Sequence, residues 1–158
     1  MPKIIHAEIA DAEEIIQLQR LAYQSEAERY NDWSLPALTQ TVESLQTEFA
    51  QQIILKAVKD DEIVGSVRAL MQQDICKIGR LIVHPKHQRQ GIGSQLLRSV
   101  EASHGHASLF ELFTGSKSLD NICLYQKHGY AVSHKKYLSP GLELVFMQKP
   151  AETLSKQN

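Results

Sequence analysis

The chain has 158 residues, 42% of them hydrophobic and 22% charged, the size and balance of one domain that buries its own core, which excludes a two-domain enzyme. Seventeen lysines and arginines against eighteen acidic residues leave a formal net charge of -1. No global field therefore draws the protein to nucleic acid or to an anionic membrane, and any basic site is local.

No stretch approaches the roughly 18 consecutive apolar residues of a membrane span, and Met1–His6 lacks the apolar run of a signal peptide. A cytoplasmic protein is expected, with one domain over 1–150 and a polar tail over 151–158. Cys76 and Cys123 are far apart, giving neither a disulfide framework nor a close zinc-type pair, and both are expected as small buried residues in a reducing compartment.

Residues 4–9 alternate as a short strand. Asp11, with Glu14 three positions on, then reads as the N-cap of a helix that carries Ile15, Ile16, Leu18, Leu21 and Ala22 and fades around Tyr23–Ser25. A polar connection through Tyr30–Ser34 reaches Pro36, after which Leu38, Val42, Leu45 and Phe49 mark a second amphipathic helix. From Ile53 the period changes to that of strands: 53–58, 63–70 and 75–83, joined by turns at 59–62 and 72–74. His84-Pro85 ends the third, because proline lacks the ladder N–H and restricts its predecessor.

A polar loop, 86–90, leads through Gly91-Ile92-Gly93-Ser94 into a helix with Ile92, Leu96, Leu97 and Val100 on one face. A strand at 109–113 and a helix at 118–127 follow, the latter closed by Gly129 as a C-cap. Ala131–Leu138 and Leu142–Met147 flank the turn Ser139-Pro140-Gly141 as a terminal hairpin. The order β-α-α-β-β-β-α-β-α-β-β contains one crossover, between the strands at 75–83 and 109–113, which predicts a parallel pair in an otherwise antiparallel sheet. The fold class is α+β with a mixed sheet.

Where an apolar strand runs through a glycine-containing loop into a helix, backbone N–H groups without intrahelical partners gather at the helix start and bind anions. A Cβ at Gly91 or Gly93 would obstruct a phosphate or the backbone angles of the turn, and Lys86 and Arg89 add positive charge. Taken bare, Gly-x-Gly is also an ordinary easing of a helix start. It is not a Walker loop, since no Gly-Lys-Ser/Thr follows, nor a dinucleotide fingerprint, since Leu96 stands where the third glycine belongs.

Gln88-Arg89-Gln90-Gly91-Ile92-Gly93, preceded by Leu81-Ile82-Val83-His84-Pro85, resembles the Arg/Gln-x-x-Gly-x-Gly/Ala acetyl-CoA loop of the GNAT N-acetyltransferase superfamily and the strand before it. The resemblance implies the GNAT acyl-CoA N-acyltransferase fold. It also implies that main-chain groups of Leu81 and Val83 pair with the pantetheine arm and that Gln88, Arg89, Gln90, Gly91, Ile92, Gly93 and Ser94 hold the pyrophosphate. On the last helix, Ser118, Asn121 and Tyr125 fall within about 60° of one another, while Leu119 and Cys123 on another side are expected to anchor it to the sheet. By resemblance Tyr125 is the general acid that protonates the departing thiolate, and Asn121 contacts the cofactor. Ser118 serves as a contact or as an N-cap.

The implied activity is direct transfer of an acetyl group, within a ternary complex, from acetyl-CoA to a primary amine of a small molecule or protein. A non-catalytic acyl-CoA-binding module is the alternative. The amine must lose a proton, yet the strand before the loop, where several similar enzymes carry a Glu, reads Lys77, Gly79, Arg80. Glu111, a charge on an apolar strand, is the preferred base, against a surface role or an ion pair with Arg80. Glu26, Glu28 and Asp32 stand ready for a cationic acceptor and Lys135 and Lys136 for a carboxylate. The seven histidines form no set of three or four ligands, so no metal is expected. Monomer and homodimer are both compatible, the latter through an exposed edge of the terminal hairpin.

Overall fold

The change of period at Ile53 separates helices from sheet in the structure as well, a computed structural model that describes residues 1–151. Strands β1 (Lys3–His6), β2 (Ile53–Lys59), β3 (Glu62–Gln72), β4 (Ile75–Val83), β5 (Leu109–Gly115), β6 (Ala131–Ser139) and β7 (Leu142–Pro150) form one sheet ordered β1-β2-β3-β4-β5-β7-β6. Only β4 and β5 run parallel, as the crossover predicts. The α+β class and mixed sheet are as expected.

Helix α1 (Ala12–Ala22) follows β1 across a short 3-10 turn. Asp11 is not its side-chain cap. It accepts a hydrogen bond from the Glu8 N–H and pairs with Lys56 at 2.8 Å, while Glu14 accepts the Ile63 N–H at 2.9 Å. The expected polar connection contains a helix, α2 (Gln24–Tyr30), which buries Ala27 and Tyr30 and ends at Asn31 in the left-handed region, φ 48°. The expected second helix is two, α3 (Pro36–Thr39) and α4 (Val42–Glu48). Extended backbone at Gln40 and Thr41 separates them.

Other elements dictate that break. The Gln40 carbonyl accepts from Arg20 at 3.0 Å, its side-chain oxygen accepts from Gln19 and Arg68 at 3.0 Å, and Thr41 caps α4 by accepting the Ser44 N–H at 3.1 Å. Arg68 on β3 is 4% exposed and donates to Gln19 at 2.7 Å and to Glu48 at 3.2 Å. Burial pulls its pKa down to about 10 against the attraction of Glu48.

Helices α5 (Ile92–Ala102) and α6 (Leu119–Lys127) cover the opposite face. Ile92, Leu96, Leu97 and Val100 lie fully buried against Val64, Val67, Cys76 and Ile78; burying each large aliphatic side chain stabilises by about 1.5–3 kcal/mol. On the first face Ile15, Ile16 and Leu45 cluster with Ile54, Ile63 and Ile82. Strand β7 lies inside the sheet and β6 is the edge, exposed at every residue. Ala151 is buried, its N–H bonded to Ser108; the rest of the expected tail lies outside the described residues.

The Thr41 cap supports a helix of seven residues, so Thr41→Ala is expected to lower stability by about 1 kcal/mol, read as a reduced urea midpoint with an unchanged m-value.

Candidate active site

Strands β4 and β5 pair through Ile75–Leu109, Cys76–Phe110 and Lys77–Glu111, and no further. Beyond that point β4 runs on to Val83 and β5 to Gly115. Ser66 pairs with Ile82 but Arg68 with Gly79, so Arg80 and Leu81 both oppose Val67. This bulge, with Arg80 at φ 49°, twists β4 away, while β7 holds β5 along its whole length. The parting is filled by a cavity of about 860 Å³, walled by Ile78–Val83 on one side and Leu112–Gly115 on the other. There the β4 backbone has no strand partner on its β5 side and keeps N–H and C=O groups free for a ligand.

At the end of β4, His84 accepts the Lys86 N–H through Nδ1 at 3.0 Å and opens a 3-10 turn. Arg89 and Gly91 take positive φ, 64° and 83°. The first α5 hydrogen bond runs from the Gln95 N–H to the Gly91 carbonyl, so the amides before Gln95 have no intrahelical acceptor. A Cβ at Gly91 would meet nothing within 4 Å; the positive φ is what calls for glycine there. Leu81, Val83, Gln88, Arg89, Gly91, Ile92, Gly93 and Ser94 all line the cavity; Gln90 does not. Ser94 Oγ lies 2.9 Å from His128 Nε2, tying the start of α5 to the end of α6. Burial, then the Arg98 charge, holds the His128 pKa below its ordinary value.

Helix α6 turns Asn121 and Tyr125 to the cavity, as the resemblance implies, but Leu119 and Cys123 do not anchor it. Leu119 is 65% exposed and Cys123 is exposed at the cavity rim rather than buried, whereas Ile122 and Leu124 pack on the core. The reason is that the polar face finds partners inside. Ser118 Oγ donates to Glu26 Oε2 at 2.7 Å and lies 2.8 Å from the Tyr30 hydroxyl, which accepts the Lys117 N–H at 3.0 Å. The Ser118 side chain therefore makes no cap. Asn121 lines the cavity and donates to Thr114 at 3.2 Å. Tyr125 lines it too and is 6% exposed; burial raises its pKa, and Tyr23 and Glu26 raise it further. Gly129, at φ 94°, closes the helix as expected, with the Tyr130 N–H bonded to the Tyr125 carbonyl.

Glu111 is not brought to the cavity. It lies before the strands part, accepts from Gln148 at 2.8 Å and stands 4.0 Å from Lys77 Nζ, with no ion pair to Arg80. Of the early carboxylates only Glu26 lines the cavity, and Lys135 and Lys136 lie exposed on β6. Tyr23 and Tyr30, in the Tyr23–Trp33 segment that the resemblance gives to substrate choice, line it as well, and so does Arg80, which was not anticipated as a site residue. The spacing of Tyr23, Glu26, Ala27 and Tyr30 was the available signal, since it repeats a helical face.

Residues 50–132, just over half of the chain, match the family model described as an acetyltransferase (GNAT) domain. The chain belongs to the GNAT acetyltransferase family. This GNAT domain is 28% identical over 139 residues to UPF0157 protein YqkA of Bacillus subtilis, a match spanning 88% of the chain but 40% of the length of that relative. Its fold is similar to that of a GNAT-family acetyltransferase from Streptococcus pneumoniae (TM-score 0.78, 20% identity, 96% of this chain and 100% of that one). It is also similar to that of PaiA N-acetyltransferase from Thermoplasma acidophilum, solved in complex with coenzyme A (TM-score 0.78, 18% identity, 95% and 99%).

Within this GNAT domain, a Cβ at Gly115 would overlap the Tyr30 phenol. Gly115→Ala is therefore expected to push Tyr30 off Ser118 and to cost about 1–3 kcal/mol of stability, as overpacking does, measured by chemical denaturation. An unchanged midpoint would show that Tyr30 is free to move.

Proposed function

We propose that the chain is an acetyl-CoA-dependent N-acetyltransferase that acetylates a primary amine by direct transfer in a ternary complex. One observation carries the reading: where β4 and β5 part, a single cavity is lined by a strand with an unused edge, a helix start with unpaired amides, and the buried Tyr125. The residues fit the co-substrate. An added extended chain can pair with the Leu81–Val83 backbone, and the amides from Gln88 to Ser94 can take a pyrophosphate beside Gly91, where no side chain intrudes. Family membership and the coenzyme A complex of the similar Thermoplasma enzyme support the same ligand.

Bound acetyl-CoA supplies an activated thioester. Tyr125 holds a proton for the leaving sulfur: burial keeps its pKa above the ordinary value near 10, so the phenol is neutral at pH 7. Glu26, which lines the cavity along with Asp120, takes the role first expected of Glu111, because it is held beside Ser118 and Tyr30 on the α2 side. Arg29 at 3.0 Å and Ser118 at 2.7 Å fix its two oxygens. Asn121, tied to Thr114, contacts the cofactor. A cytoplasmic setting goes with this reading, since Cys76 and Cys123 are both free.

A calorimetric titration with acetyl-CoA tests the loop. Gly91→Val is expected to weaken binding about tenfold or more, equivalent to about 1.4 kcal/mol, and to lower the melting temperature as well, because a β-branched residue is strained at φ 83°; equal affinity of the folded variant would refute the assignment. Free-thiol release over a panel of amines tests turnover. Tyr125→Phe is expected to lower kcat about 10²-fold with the KM for acetyl-CoA nearly unchanged. Binding of acetyl-CoA without transfer to any amine would instead mark a non-catalytic acyl-CoA-binding module.

A further inference from the structure

The charged groups around the cavity are not evenly satisfied. Near the loop stand Arg89 and Lys127. On the α2 side, Glu26 and Arg29 form an ion pair at 3.0 Å, and the second Glu26 oxygen accepts from Ser118. Arg80 is left over. It lines the same cavity from the β4 bulge, takes part in none of the ion pairs among the described residues, and its Nε is buried without a hydrogen-bond partner.

The surroundings leave Arg80 no internal anion. Arg68, the neighbouring cation, already engages Glu48, Gln19 and Gln40. Tyr23 is half-buried beside both: burial raises its pKa, Glu26 adds to that, and the Arg80 and Arg68 charges, with a hydrogen bond from Arg80, oppose it. A cation whose near neighbour is a neutral phenol rather than an anion thus shares that phenol with the Glu26 carboxylate on the cavity wall. A buried donor left unpaired is costly, and holding a non-glycine residue at positive φ inside a strand adds strain that ligand sites tolerate.

We infer that the acceptor is an amine that also carries a carboxylate, with Arg80 receiving the carboxylate while the amino group lies toward Glu26. This rests on the acetyltransferase reading and names its substrate class. The planar guanidinium presents parallel N–H donors that match the two oxygens of a carboxylate. One guanidinium balances the single charge of a carboxylate, whereas a phosphate ester carries about -1.5 to -2 at pH 7. A lysine within a protein chain carries no such carboxylate, so small amino acids and related amino-carboxylic compounds are the class.

The test compares matched acceptors by thiol release: free amino acids, their carboxamides, the corresponding decarboxylated amines, and aminoalkyl phosphates of equal length. The wild-type protein is expected to show a kcat/KM about 10- to 100-fold higher for the carboxylate than for the amide. Arg80→Gln is expected to collapse that ratio toward unity mainly through KM, and Arg80→Lys to retain part of it. A wild-type preference for amides, plain amines or phosphates overturns the inference, as does a ratio that survives Arg80→Gln; the wild-type ratio decides alone if the variants do not fold. Acetyl-CoA binding with no thiol release from any compound overturns the acetyltransferase reading itself, whereas turnover without a carboxylate preference overturns only this inference.

Discussion

Two parallel strands that share three residue pairs and then diverge set the terms for the rest of this structure. Strand β5 cannot follow β4, because β7 pairs with it from Leu109 to Gly115. Strand β4 cannot follow β5, because its bulge places Arg80 and Leu81 against one residue of β3 and turns it the other way. A sheet that opens in its middle exposes backbone groups that burial would make costly. The opening is therefore stable as a cavity wet enough to solvate those groups or filled by a ligand that pairs with them.

Helices on both faces meet at this opening. From one side comes the α5 start, whose free amides follow from the left-handed turn at Gly91. From the other comes α2, joined to the start of α6 through Glu26, Ser118 and Tyr30. Hydrogen bonds of this kind gain strength where water is sparse, and they link segments 92 and 88 positions apart in the chain. Tyr125 sits where the two sides converge, and its raised pKa is a direct result of that enclosure.

Much of this was legible in the sequence because local rules decide it. Alternation found β2 to β7, Pro85 ended β4, and the glycines marked the turn before α5. The polar stripe of α6 was also legible, and the resemblance gave its direction, but the core-facing side was misplaced on Leu119 and Cys123, since periodicity groups residues without saying which group meets the core. Its partners, Glu26, Tyr30 and Thr114, lie on other elements. Glu111 shows a similar limit. Alternation gives its side of the strand, whereas its distance from the site depends on where the sheet opens, one pair beyond Cys76–Phe110. Helix α2 escaped notice because it buries a small residue and a tyrosine rather than leucines, and the α3–α4 break is imposed by Arg20, Gln19 and Arg68 from elsewhere in the fold.

A formal net charge of -1 conceals a distinction between neighbouring strands, where one arginine is paired with a carboxylate and the other, among the described residues, is not. Arg68 and Arg80 stand on neighbouring strands, and neither was distinguishable by type or pattern. Arg68 has a carboxylate and two amide oxygens around it, so its charge is spent on joining the early helices to β3. Truncating it would leave Glu48 and two glutamines without their shared donor, a structural loss. Arg80 has no such set: it lines the cavity, belongs to no ion pair among the described residues, and its Nε is buried without a hydrogen-bond partner. Partnership, more than residue identity or depth, is what separates a guanidinium that holds the fold from one that awaits an anion.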